Sequence, residues 1–150
     1  MLSHDIALIS GASRGIGQAI ALELGRQGVL VIGTATSESG IESINKFLKD
    51  NDIKGQGQLL NVTDQGSVDE ALASVEGRYG APTILVNNAG ITRDNLLMRM
   101  KDEEWDAIIS TNLTSVYRLS KACVRGMTKA RRGRIISIGS VVGATGNAGQ

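Results

Sequence analysis

Ser140 stands near the end of an apolar run, RIISIGS, that reads as a buried strand delivering a hydroxyl to the mouth of a site. A hydroxyl held there can donate to an oxygen on which negative charge develops. A second candidate is SGASRGIG, Ser10 to Gly17. Its glycines, Gly11, Gly15 and Gly17, follow a strand-like run and open a helix-like one. Glycine permits tight turns and close approach of a phosphate, and the first amides of the helix then face that anion. The pattern is G-x-x-x-G-x-G, and a strand-to-helix turn of purely structural purpose could carry it. The third is NNAG, Asn87 to Gly90, whose carboxamides suit a ribose and neighbouring backbone. Alone it could be a turn. One Cys (Cys123) and one His (His4) cannot build a disulfide framework or a conventional zinc site. Cys123 is expected as a small apolar helix residue and His4 as a solvated end residue.

The elements that must hold these residues alternate. Strands are predicted at 6–10, 29–33, 57–62, 83–88 and 134–140, and helices at 15–28, 38–51, 67–80 and about 102–129. Ile16, Ile20, Leu22 and Leu24 are expected near one face of the first helix. Repeated strand–helix units argue a parallel sheet covered on both faces, with the ligand crevice outside the carboxyl ends of the strands. The segments just past the strands, 10–17, 33–37, 61–64, 87–91 and 139–143, are where function is to be sought. At 150 residues, 41% hydrophobic and 21% charged, the chain is expected to be a single domain. A net charge of +1 does not suggest nucleic acid, and no apolar run is long enough to span a bilayer. The first ten residues lack a basic segment, so no secretory signal is expected and the default address is cytoplasmic.

SGASRGIG, NNAG, Asn112 in TNL, and IGS with Ser140 occur in an order and at intervals that resemble the short-chain dehydrogenase/reductase family across the whole chain. NNAGITRDNLLMRMKDEEWDAIISTNL is similar to the bacterial 3-oxoacyl-[acyl-carrier-protein] reductases of that family. Ser10 departs from the family's usual Thr but keeps the hydroxyl. The resemblance implies a Rossmann-like doubly wound sheet in strand order 3-2-1-4-5, continued beyond this chain. It assigns cofactor contacts to Gly11, Ala12, Ser13, Arg14, Gly15, Ile16, Gly17, Thr36, Asn61, Val62, Asn88, Ala89 and Gly90.

The dinucleotide expected is NADP(H). An NAD site wants a carboxylate after the second strand for the ribose 2′-hydroxyl, whereas GTATSE offers nothing acidic before Glu38. Thr36 can donate to a 2′-phosphate, and the Arg14 guanidinium suits one. By the same resemblance Ser140 donates to the substrate oxygen and Asn112 holds a water in a proton relay. A strand-end serine bonding its own backbone, or a polar residue at a helix kink, would look the same in sequence.

The family's Tyr-x-x-x-Lys falls after Ser140. Tyr117–Lys121 has that spacing but precedes Ser140 and lies inside the long helix, so Tyr117 is expected to pack at a helix interface and Lys121 to be solvated or in a surface pair. The chain is accordingly expected to be a fragment, inactive and poorly soluble by itself, with the fifth strand as a bare edge. Complete, it is expected to be a homotetramer. TKARRGR places Lys129, Arg131, Arg132 and Arg134 together, a cluster expected to steer an acidic acyl carrier protein bearing the acyl substrate. A solvated helix end is the plainer reading of that cluster. Two further functions stay open: a reductase of the same family acting on a coenzyme A thioester, a sugar or a steroid ketone, and a non-catalytic dinucleotide-binding module.

Overall fold

The computed structural model describes residues 2 and 4–150. The elements run β1 (Ile6–Ile9), α1 (Gly15–Arg26), β2 (Leu30–Ala35), α2 (Glu38–Asp50), β3 (Gly55–Leu59), α3 (Gln65–Tyr79), β4 (Ile84–Asn87), α4 (Asp102–Ile108), α5 (Ser115–Ala130), β5 (Arg134–Ser137) and α6 (Val142–Thr145). All strand pairs are parallel and the order is β3-β2-β1-β4-β5. This is the expected Rossmann-like sheet. Its order reverses between β1 and β4, where open α/β sheets place their ligand crevice.

Burial follows residue parity along the strands, because successive side chains leave opposite faces. Ala7, Ile9, Val31, Ile84 and Val86 pack with Ala21 of α1 and with Ile44 and Leu48 of α2. Leu8, Ile32 and Leu85 pack on the other face, with Val68, Leu72 and Val75 of α3 and Leu119, Cys123 and Met127 of α5. Fully burying each of the Val, Leu, Ile and Met side chains among them is worth about 1.5–3 kcal/mol. Cys123 behaves as the small apolar residue expected: it is buried, and its thiol is pushed up to about 12, mainly by desolvation and further by Glu76. At pH 8 about one molecule in ten thousand would carry a thiolate, so alkylation of the native chain should be orders of magnitude slower than in denaturant. Labelling at the free-thiol rate would show that this face of the core is open.

Several local expectations need correction. β3 starts and ends earlier than the apolar pattern suggests, running Gly55–Leu59 against Val31–Ala35. The apolar Leu60 and Val62 lie past the strand and turn inward to the core. β5 stops at Ser137, three residues before Ser140. The long helical stretch is not one α-helix: residues 109–114 form a π-helical turn between α4 and α5. Ile16 does not join Ile20, Leu22 and Leu24 against the core but is 61% exposed, since α1 buries Gly17 and Ala21. Tyr117 is not packed at a helix interface. Ser115, Leu119, Cys123 and Met127 are the buried stripe of α5, and Tyr117, two residues off that stripe, faces outward with the Lys121 ammonium 5.6 Å from its ring centroid. Within the described residues β5 lies last in the sheet, with Ile135 and Ile136 each 44% exposed.

Candidate functional site

The two loops at the sheet's reversal point are bonded to each other. The Ser10 hydroxyl donates to Val86 O (3.3 Å) and accepts from the backbone N–H of Asn88 (2.9 Å) and Ala89 (3.0 Å). Asn88 Nδ2 donates back to Ser10 O (3.0 Å) and Gly11 O (2.9 Å). A buried hydroxyl with its donor and both acceptor positions used holds the end of β1 against the end of β4. Gly11 and Gly15 have φ of +69° and +58°, which favour glycine. Gly17 is set by packing: a Cβ there would lie 2.2 Å from Gly11 O.

Above these loops lies a cleft of about 620 Å³. Gly11, Ser13, Arg14, Gly15 and Ile16 line it from the glycine loop, Thr36 from the end of β2, Asn61 and Val62 from the turn after β3, and Asn88, Ala89 and Gly90 from the turn after β4. These sequence-predicted contacts come from four separate stretches and converge on one space. Ala12 and Gly17 do not line it. Ala12 is buried, its N–H bonded to Thr34 O at 2.9 Å, and Gly17 forms the floor on which the loop rests. No Asp or Glu side chain lines the cleft, so the residues present fit an anion-bearing ligand and oppose none of its charge.

A second cleft, of about 760 Å³, adjoins the first through Ile91 and contains both Ser140 and Asn112. Ser140 Oγ accepts the N–H of Val142 (3.2 Å), the self-bonded arrangement the plainer reading foresaw. That bond uses an acceptor position, so the hydroxyl proton stays free to be donated. Asn112 sits in the π-helical turn, and its carboxamide grips Ile91, with Oδ1 accepting from Ile91 N and Nδ2 donating to Ile91 O, both at 2.8 Å. π-turns are rare and frequently mark functional sites. Here the turn aims Asn112 at the residue shared by the two clefts.

Residues 5–150 match the family model described as short chain dehydrogenase. The chain belongs to that family. Over 149 residues it is 64% identical to the 3-oxoacyl-[acyl-carrier-protein] reductase FabG of Pseudomonas aeruginosa, covering 99% of this chain and 60% of that protein. It is 63% identical over 149 residues to the FabG of Haemophilus influenzae, again 60% of that protein, and 61% identical over 145 residues to that of Escherichia coli, 58% of it. The chain thus spans about 60% of the length of these relatives.

For a short chain dehydrogenase, two features of this site were poorly marked in sequence. Ile91 belongs to both clefts, and nothing but its place after NNAG signals it. Ser10 is the hub of the loop junction, and its signal is the hydroxyl at the head of the glycine loop. The basic cluster lies at the opposite, amino end of the sheet. There Arg132 pairs with the buried Asp5 carboxylate, whose other oxygen accepts from Thr83 Oγ1 at 2.8 Å. Desolvation raises the Asp5 carboxyl, but the hydrogen bonds from Arg132 and Thr83 outweigh it and hold the group below its ordinary value. Arg132 is therefore engaged internally. Arg131 caps α5 in the left-handed conformation, φ 50°. Among the described residues, no group of acidic, His or Cys side chains could hold a metal ion, and no helix is long and apolar enough to cross a membrane.

Proposed function

We propose that this chain forms the dinucleotide-binding part of an NADPH-dependent reductase that converts a 3-oxoacyl thioester on acyl carrier protein to the 3-hydroxyacyl form. The relatives' names support the reaction class. The observation that carries the cofactor reading is the lining of the first cleft, which includes both Arg14 and Thr36 and no Asp or Glu. Gly11 to Gly17 would hold the pyrophosphate, Arg14, Ser13 and Thr36 the 2′-phosphate, Asn61 and Val62 the adenine, and Asn88 to Gly90 the nicotinamide ribose. NADPH, when bound, supplies a hydride. Ser140, its proton unspent, hydrogen-bonds the ketone oxygen as charge develops there, and the proton that completes the hydroxyl would come from the Tyr of the Tyr-x-x-x-Lys that the family resemblance places after Ser140. Asn112 keeps Ile91, the seam between the clefts, in place.

Lys129, Arg131 and Arg134 are the cations left to attract an acidic carrier, since Arg132 is held by Asp5. A cytoplasmic address and a homotetramer of the longer protein accompany this reading. Calorimetric titration of the chain with NADPH and NADH tests it. A guanidinium–phosphate contact should favour NADPH by about tenfold or more, and Arg14→Ala should remove most of that preference. Equal affinities for the two dinucleotides would sink the cofactor assignment.

A further inference from the structure

We infer that Trp105, with Leu96 and Met100, forms the wall that reads the length of the acyl chain. The inference rests on the reductase reading of the Ser140 cleft and adds the residues that set its specificity. The cleft's lining is of two kinds. Ser140 and Asn112 stand with Ile91, which also lines the dinucleotide cleft. Leu96, Leu97, Met100, Trp105 and Ile108 supply large apolar side chains to the same space. Leu96 and Trp105 remain 53% and 55% exposed, although nothing polar on them requires it beyond one indole N–H. Asn95 holds this wall in place. Its N–H bonds Gly149 O (2.9 Å), and its Nδ2 donates to Glu104 Oε2 (3.1 Å) at the first turn of α4.

A thioester with its ketone at Ser140 has one apolar part, the aliphatic tail, and this is the apolar surface continuous with that position. The volume of about 760 Å³ is in the range of small-molecule sites.

The chain contains one Trp, so Trp105 fluorescence reports on the wall alone. The probes are butanoyl-, hexanoyl- and octanoyl-pantetheine titrated into the chain. Affinity should rise about two- to four-fold per methylene, with a change in Trp105 emission. Leu96→Asp should flatten that length dependence, and Leu96→Gln should reduce it. Met98→Asp, at an exposed neighbour outside the cleft, should leave it intact. Affinity independent of chain length would overturn the inference. So would a Leu96→Asp effect confined to sedimentation, which would mean that the apolar wall meets another copy of the chain. NADPH titration of the same samples separates the readings: loss of dinucleotide binding with length dependence retained would count against the cofactor assignment alone.

Discussion

Gly17→Ala is expected to weaken dinucleotide binding by about a hundredfold or more and to cost about 2–3 kcal/mol of stability, as overpacking does. The added Cβ would sit 2.2 Å from Gly11 O and 2.6 Å from Asn88 Nδ2. Neither contact is with the end of a flexible side chain that could swing away. Gly11 O is backbone, and Asn88 Nδ2 is fixed by its two bonds to Ser10 O and Gly11 O. Relief therefore requires α1 to move off the sheet or the two loops to part, and either change reshapes the cleft. Gly15→Ala is the informative comparison. Nothing lies within 4 Å of its Cβ position, so only the strain of φ +58° remains, about 1–2 kcal/mol. Urea unfolding and NADPH calorimetry on both variants check the difference. A Gly17→Ala chain that binds like the parent would show that the loop junction is not rigid.

Arg132→Met is expected to destabilise the fold by about 2 kcal/mol at neutral pH. Removing one partner of a buried pair typically costs about 3–5 kcal/mol, and the half-exposed Arg132 side chain, at 52%, calls for a smaller figure. The variant leaves the Asp5 carboxylate, 3% exposed, with Thr83 and without its cation. The pH dependence gives the sign. In the parent the folded Asp5 carboxyl lies below its unfolded value, so its contribution is fully present above about pH 4 and is lost as pH falls through the folded value. In Arg132→Met the carboxyl loses its main stabilising partner and rises. The deficit relative to the parent should then shrink on acidification, as Asp5 becomes neutral in both. Thermal melts from pH 7 to pH 3 would show two curves converging. A constant gap would assign the cost to lost packing of the Arg132 stem instead.

Much of the molecule was legible because its signals are local. Alternating strands and helices, the glycine spacing before α1 and the paired asparagines after β4 each lie within one short stretch, and right-handed crossovers then bring their ends to one edge of the sheet. That is why eleven predicted contacts from four segments meet in one cleft. The misreadings came where an apolar pattern stood in for hydrogen bonding. Leu60 and Val62 suggested strand but are buried after it, and Ile16 suggested core but looks into the cleft. The π-helical turn that aims Asn112 gives no periodic signal, because one extra residue per turn barely changes the order of polar and apolar residues.

Sequence alone therefore pointed to the sheet order, the family and eleven residues that line one cleft. Tertiary structure alone decided what those residues lean on. Ser10 reaches Asn88 across 78 positions and Arg132 reaches Asp5 across 127. Such pairings depend on which strands lie side by side. They satisfy buried polar groups that no local pattern can provide for, since each partner is polar, solitary and far along the chain from the other.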